Sequence, residues 1–366
     1  MPEIKSCDVG SLPFSGNFAK FLDGASQFES ACSGASGYFR SKVITSFVDK
    51  AQTGINTPYY PQFRDMNHMF LELIDGIEKL KKGYVESGDM SLKERGKSVP
   101  EVKVIKENSR EISGVLGHPF ELGVCITGPY TLSSQFAFRD AGLFLRLGGL
   151  ISQLVKNTVF NEKHGRVSMI SVDEPIFGLL DDPLIDPGCE GRENLRKAWE
   201  LITRVSKANS NSVHTCLHLH STADRLFWEV ESLNIVESEM NNLLYRSKET
   251  KKNLEAYDKF LKATVCTTNF DELIREKATA SHQQNADINQ KIKESWKKIL
   301  NGELKATVFL ENTVLIRKRI VDIANRYGPE RVPYASPECG LKGYPTYESA
   351  LECLRRVAIA TRSVYA

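Results

Sequence analysis

The sequence predicts an α/β fold, a (β/α)8 barrel with a helical insertion, on three observations. Short β-prone runs recur with helical patterns between them, and one of them, Val167 to Val172, is a nearly continuous apolar run of the kind parallel sheets bury. The reactive and polar residues fall just after these runs, where the C-terminal face of a barrel collects its loops. The length of 366 residues fits one large barrel or two ordinary domains, and the count of eight such runs favours the barrel, so residues 1–366 are expected to form a single domain.

Taken in order, the first strand is Ser6-Cys7-Asp8-Val9, which runs into the turn Gly10-Ser11-Leu12-Pro13. The missing Cβ of Gly10 lets backbone approach a ligand there, although a plain strand-ending turn has the same residues. A mixed, helical pattern follows from Gly16 to about Ser46, with Phe residues at 14, 18, 21, 28 and 39 expected in core or lid packing. Gly54-Ile55-Asn56-Thr57-Pro58 is the second strand, followed by Tyr59, Tyr60, Gln62 and Arg64. From Asp65 to Lys82 the apolar residues Met66, Met69, Phe70, Leu73, Ile74, Ile77 and Leu80 predict an amphipathic helix. The polar stretch Gly83 to Lys106 predicts an exposed excursion.

Phe120 to Pro129 is the third strand, and Thr127-Gly128-Pro129-Tyr130-Thr131-Leu132 turns into a helix. The fourth, Val167 to Val172, ends in Asp173-Glu174-Pro175. Two carboxylates beside a buried strand are costly unless they bind something or meet a partner, the plainer alternative being a cap on the next helix. The fifth strand, Val213 to His220, puts His214, Cys216, His218 and His220 on one face by the period of two. Imidazole and thiolate side by side are ligands of the kind zinc takes.

Leu233 to Val236 is the sixth strand, followed by Glu237 and Glu239 on a shared face. Leu304 to Leu310 is expected as the seventh, and Arg331 to Pro337 as the eighth, ending at Glu338-Cys339-Gly340-Leu341-Lys342. A last helix runs from Thr346 to about Ser363. Leu261-Lys262-Ala263-Thr264-Val265 repeats Leu304-Lys305-Ala306-Thr307-Val308 residue for residue and falls outside the count of eight. With the charged, helical stretch after it, residues 261–303 are expected as an insertion beside the barrel.

Composition narrows the partners. A hydrophobic content of 41%, a charged content of 26% and a net charge of +2 give no field that would favour nucleic acid. The apolar run Ala141 to Val155 is broken by Arg146 and is too short to span a membrane. Met1-Pro2-Glu3-Ile4-Lys5 lacks the apolar core of a signal peptide, and a cytoplasmic location is expected. The eight cysteines (7, 32, 125, 189, 216, 266, 339 and 353) are widely spread, which predicts free thiols, some open to a metal, over a disulfide framework. In a barrel, the ends of strands five, six and eight surround one mouth. His214, Cys216, Glu237 or Glu239, and Cys339 can therefore supply the three or four ligands that a reactive zinc site holds.

The ordered set Val9-Gly10-Ser11-Leu12-Pro13, Ile126-Thr127-Gly128-Pro129-Tyr130-Thr131-Leu132, Val172-Asp173-Glu174-Pro175, His214-x-Cys216 and Pro337-Glu338-Cys339-Gly340-Leu341-Lys342 resembles the catalytic C-terminal barrel of cobalamin-independent methionine synthase. The resemblance covers nearly the whole chain. It implies zinc held by His214, Cys216, a Glu and Cys339. Matching Asn234 to Glu239 with the family's Asp-Val-Ile-x-x-Glu favours Glu239, with Glu237 as the alternative, and leaves His218 and His220 no coordinating role. It further implies homocysteine held by Gly10, Ser11 and the catalytic carboxylate Asp173, and methyl transfer to that thiol in methionine biosynthesis. These 366 residues leave no room for the folate-binding N-terminal half of the family, so the expected donor is methylcobalamin or a corrinoid protein.

Two further departures bear on the acceptor. Tyr60 or Gln62 stands near the place of a family Glu that contacts the substrate amino group, and Asn312 is expected in place of a histidine that follows the seventh strand. They leave coenzyme M or another thiol as an alternative acceptor, and a zinc- and thiol-binding barrel without turnover as an alternative function.

Overall fold

The computed structural model describes residues 3–28, 34–204, 213–279 and 285–364; Cys32 and residues 280–284 of the expected insertion lie outside them. Seven parallel strands form most of a ring. They are β1 (Lys5–Ser6), β4 (Phe120–Thr127), β6 (Gly165–Glu174), β7 (His214–Leu219), β8 (Ile235–Ser238), β9 (Phe260–Cys266) and β10 (Tyr334–Pro337). Their order is β1-β10-β9-β8-β7-β6-β4, and the short strand β5 (Asn161–Glu162) adds antiparallel to β6.

The expected second strand closes the gap between β4 and β1. Cys7 bridges Thr57, and Tyr59 bridges Gly123, both in parallel. The Thr57 amide donates to the Ser6 carbonyl at 3.0 Å, and the Tyr60 amide to the Gly123 carbonyl at 3.1 Å. Pro58 and Pro61 lack amide donors, which keeps this segment to isolated bridges. The Tyr59 ring lies where a Cβ on Gly123 would stand, 2.2 Å away, so the closure depends on that glycine. The ring therefore has eight positions, a (β/α)8 barrel.

The parallel strands are buried on both faces, as the apolar run in β6 predicts: Val167, Met169, Ile170 and Val172 are all in the core. The principal helices pack outside, among them Gly34–Gln52, Leu143–Thr158, Glu190–Thr203, Thr313–Tyr327 and Tyr347–Arg362. Thr346 starts the last with a capping box completed by Ser349.

Two expectations are corrected. The region Asp65 to Lys82 is helical only over His68–Leu71; Ile74–Leu80 (β2) and Gly83–Leu92 (β3) then form an antiparallel hairpin, part of the region expected as an exposed excursion. Gly76 has φ +80° at a register break in the hairpin, and a Cβ on it would lie 2.4 Å from the Asp89 carbonyl oxygen. The apolar spacing fits a helix, but this backbone needs a bulge glycine.

The seventh strand is not Leu304 to Leu310. Phe260–Cys266 takes that place, paired with β8 and β10, so the segment expected as an insertion begins inside the barrel wall. Its identical pentapeptide at 304–308 contributes only a 3₁₀ turn, Ala306–Val308. The difference lies in context: Lys262 is buried against the Glu237 carboxylate, whereas Lys305 is exposed. The helices Phe270–Thr279 and Asn285–Leu300 follow this strand and pack on each other, while the helix Thr313–Tyr327 packs against the strand itself.

Candidate metal centre

The even-numbered residues of β7 do share a face, but depth along the strand separates them. His214 begins the strand, half-buried, with Nδ1 3.0 Å from the hydroxyl of Tyr334, which begins β10. Cys216 is fully buried, its Sγ 3.9 Å from Glu237 Oε2. His218 and His220 lie at the C-terminal end, their rings 5.4 Å apart and nearly perpendicular. At about 3.3 Å per residue, His214 stands roughly 13 Å below His218.

Cys339, just past β10, meets the upper pair. Its Sγ is 3.7 Å from His220 Nε2, and the ligand atoms of His218, His220 and Cys339 all lie within 4.8 Å of one another. Among the described residues this is the one such grouping of three, and it contains neither His214 nor Cys216. Glu239 is beside it, half-exposed, with Oε1 3.4 Å from His220 Nδ1. Of the four expected ligands only Cys339 belongs to this grouping; Glu239 meets His220 at Nδ1, the ring nitrogen away from Cys339, and His214 and Cys216 are not brought to it. Glu237, the alternative ligand, is turned into the core, where it meets His218 Nδ1 at 3.2 Å and Lys262 Nζ at 2.9 Å.

The donor set suits a borderline-soft metal. Burial pushes the Cys339 thiol up, but His218 and His220 beside it outweigh burial and bring it down to about 6, so the thiolate that binds metal is the form present near neutral pH. Cys216 is the opposite case, since burial, reinforced by Glu237, raises its thiol well above the usual range. Both ring nitrogens of His218, Nδ1 and Nε2, are buried without a hydrogen-bond partner, orphaned polar atoms of the kind a ligand satisfies. Two imidazoles, one thiolate and a nearby carboxylate fit zinc.

The expected substrate residues border this centre. Gly10 has φ +114°, and a Cβ there would stand 2.6 Å from Cys125 Sγ. Its amide donates to Asp8 Oδ2 at 3.1 Å, and its carbonyl accepts from Lys50 Nζ at 2.6 Å. The Ser11 carbonyl accepts from the Leu341 amide at 3.0 Å, and Ser11 Oγ fills the place of a Cβ on Gly340, 2.0 Å from it. The first turn and the Cys339-Gly340 loop are thus locked together.

Asp173 stands opposite His218 in the strand register and accepts from Ser171 Oγ at 2.8 Å. Burial raises its carboxyl to about 6, partly offset by His218. Its neighbour Glu174 has a separate task. It accepts from the amides of Tyr130 and Thr131 at 2.9 and 2.7 Å and from Trp199 Nε1 at 2.8 Å, capping the helix Pro129–Ser133. The carboxylate pair therefore divides into one residue at the site and one that fixes the wall.

The two departures differ in weight. Gln62 does lie beside the first turn: its amide donates to the Gly10 carbonyl at 3.3 Å, and Nε2 reaches the Tyr60 hydroxyl at 3.4 Å. Asn312 instead caps the helix Thr313–Tyr327 through the Leu315 amide at 2.9 Å. The residues that follow the seventh strand are Thr267 and Thr268, whose amides are held by Glu311 and Glu338. The histidine substitution read at Asn312 is therefore not at that position. The sequence reading gives Lys262 no partner, though a lysine inside an apolar run signals one, and the structure pairs it with Glu237.

No family model and no curated protein matches the sequence. Solved structures share its fold. A B12-independent methionine synthase from a Shewanella species, in complex with selenomethionine, matches with a TM-score of 0.60 at 13% identity, covering 99% of this chain and 98% of that one. A chain assigned to the vitamin-B12-independent methionine synthases, from Listeria monocytogenes, matches with a TM-score of 0.61 at 15% identity, over 100% and 99% of the two chains. A methyltransferase from Methanosarcina mazei matches with a TM-score of 0.53 at 12% identity, over 100% and 95%. At these identities the likeness shows a common fold.

Proposed function

We propose that this chain is a zinc-dependent methyltransferase that transfers a methyl group to a thiol, with homocysteine as acceptor and methionine as product. The observation that carries the reading is the convergence of His218, His220 and Cys339 at the mouth of a barrel whose structural neighbours include methionine synthases of the same single-barrel length. The ligand set proposed is His218, His220 and Cys339, with Glu239 as the fourth. It replaces His214 and Cys216 of the sequence reading.

When bound, zinc supplies Lewis acidity that deprotonates a thiol near neutral pH, so no separate general base is required. The chain's own residues do the rest. Gly10 and Ser11 form the turn at the edge of the centre, its backbone fixed by Asp8, Lys50 and Leu341 so that the Ser11 amide and hydroxyl are the groups left to a substrate, and Asp173 offers a carboxylate to the ammonium end of an amino-acid thiol. Held at both ends, the acceptor sulfur has one approach to the methyl group. The proposed donor is methylcobalamin or a methylated corrinoid protein, and a cytoplasmic location is part of the same reading. Among the described residues, no helix is long and apolar enough to cross a membrane.

A second acceptor is favoured by one observation. Gln62 and Tyr60, both uncharged, stand beside the Gly10 turn, which suits a thiol without an α-ammonium group, such as coenzyme M. The test is methyl transfer from methylcobalamin to each thiol by zinc-loaded protein. Methionine formation supports the first reading, turnover with coenzyme M alone supports the second, and tight thiol binding without turnover of either leaves a binding barrel.

A further inference from the structure

We propose that Glu237, held in place by Lys262, is the positioning residue that turns the His218 imidazole toward Cys339 and His220. The inference rests on the zinc reading of the site and assigns Glu237 a task other than ligation.

Both Glu237 oxygens are already engaged inside the barrel. Oε1 accepts from Ser336 Oγ at 3.0 Å, and Oε2 meets Lys262 Nζ at 2.9 Å and His218 Nδ1 at 3.2 Å. The side chains of Glu237 and Lys262 have no exposed surface. A carboxylate so surrounded has no free face to turn toward a metal. Its contact with Nδ1 favours the tautomer with the proton on that nitrogen, which leaves Nε2 open for ligation. Both ring nitrogens of His218 are buried without a hydrogen bond, and Nδ1 is the one with a carboxylate within ion-pair distance, Glu237 Oε2 at 3.2 Å.

Lys262 is anchored in turn. Its Nζ donates to the Asp8 carbonyl at 3.2 Å, and the Asp8 carboxylate takes Lys50 Nζ at 2.5 Å, which also reaches the Gly10 carbonyl. Two buried ion pairs, Lys50–Asp8 and Lys262–Glu237, are thus joined through the Asp8 carbonyl, and the connection runs from the helix Gly34–Gln52 through the segment after β1 to β9, β8 and β7. Such a chain is costly to bury and stable only when every member is paired. It connects the turn that would hold the acceptor with the imidazole that would hold the metal, and through Ser336 it reaches the strand that delivers Cys339.

The experiment compares zinc affinity, by chelator competition, and cobalt(II) absorption spectra in wild-type protein, Glu237→Gln, and the double variant Glu237→Gln/Lys262→Met. The double variant removes both charges, so it stays testable if the single one leaves an unpaired buried lysine and fails to fold. The expected result is zinc binding weakened about tenfold to a hundredfold, the effect of losing a group that orients a ligand. The sulfur-to-cobalt charge-transfer band of Cys339 is retained while the ligand-field bands shift. Wild-type affinity and spectrum in the folded double variant would overturn the inference, as would loss of one oxygen ligand from the metal in Glu237→Gln. If wild-type protein takes up neither metal, it is the zinc reading itself that fails.

Discussion

His218 and His214 are the same residue type on the same face of one strand, and four positions decide their chemistry. His214 is spent on the Tyr334 hydroxyl at the floor of the barrel, whereas His218 stands at the mouth with Cys339. The face was legible from alternation, but the depth was not, because period two carries no information on where a strand meets the rim. Cys339→Ser and His220→Ala are expected to lose bound zinc by elemental analysis, while His214→Ala and Cys216→Ser keep it. Asp173→Asn is expected to raise KM for an amino-acid thiol about tenfold or more, the size of one charge-assisted hydrogen bond, in steady-state kinetics.

Glu174 yields a pH prediction at the same scale. Burial raises its carboxyl to about 7 despite the hydrogen bonds from Trp199 and the two amides. Between the unfolded value of about 4.5 and that folded value, the unfolded chain releases a proton that the native protein keeps. This group therefore lowers stability as pH rises through that window. Denaturant titrations at pH 5 and pH 7 should show the loss in wild-type protein and a smaller one in Glu174→Gln.

At the scale of elements, the identical pentapeptides 261–265 and 304–308 form a strand and a 3₁₀ turn. Their propensities are the same, so the partners decide: Lys262 finds Glu237, and Lys305 finds solvent. No local pattern could rank the two copies. The Cys339-Gly340-Leu341 loop was legible as a motif, and its fit to Ser11 is a tertiary fact. Gly340→Ala drives a Cβ to 2.0 Å from Ser11 Oγ, whereas Gly343→Ala meets nothing within 4 Å. Gly340→Ala is expected to displace Cys339 and weaken zinc binding in chelator competition; Gly343→Ala, three residues along the same loop, should match wild type.

For the molecule as a whole, the barrel was legible because apolar runs and helical patterns alternate along the chain, and miscounting one strand did not change the fold class. Its hydrophobic residues form one large cluster, so the fold is expected to stand without the metal. Chelation should leave the far-UV circular dichroism unchanged and lower Tm by a few degrees. Zinc that binds only the folded state adds about 2.7 kcal/mol when its free concentration is a hundred times Kd. The distinction with the most weight is how many sulfurs the metal carries, because His218, His220, Glu239 and Cys339 contain one while His214, Cys216, Glu239 and Cys339 contain two. Zinc K-edge extended X-ray absorption fine structure measures this directly. The result expected is one sulfur at about 2.3 Å with nitrogen and oxygen ligands near 2.0–2.2 Å, and a second sulfur on addition of homocysteine. Two sulfurs without added thiol, or no zinc at all, would contradict it.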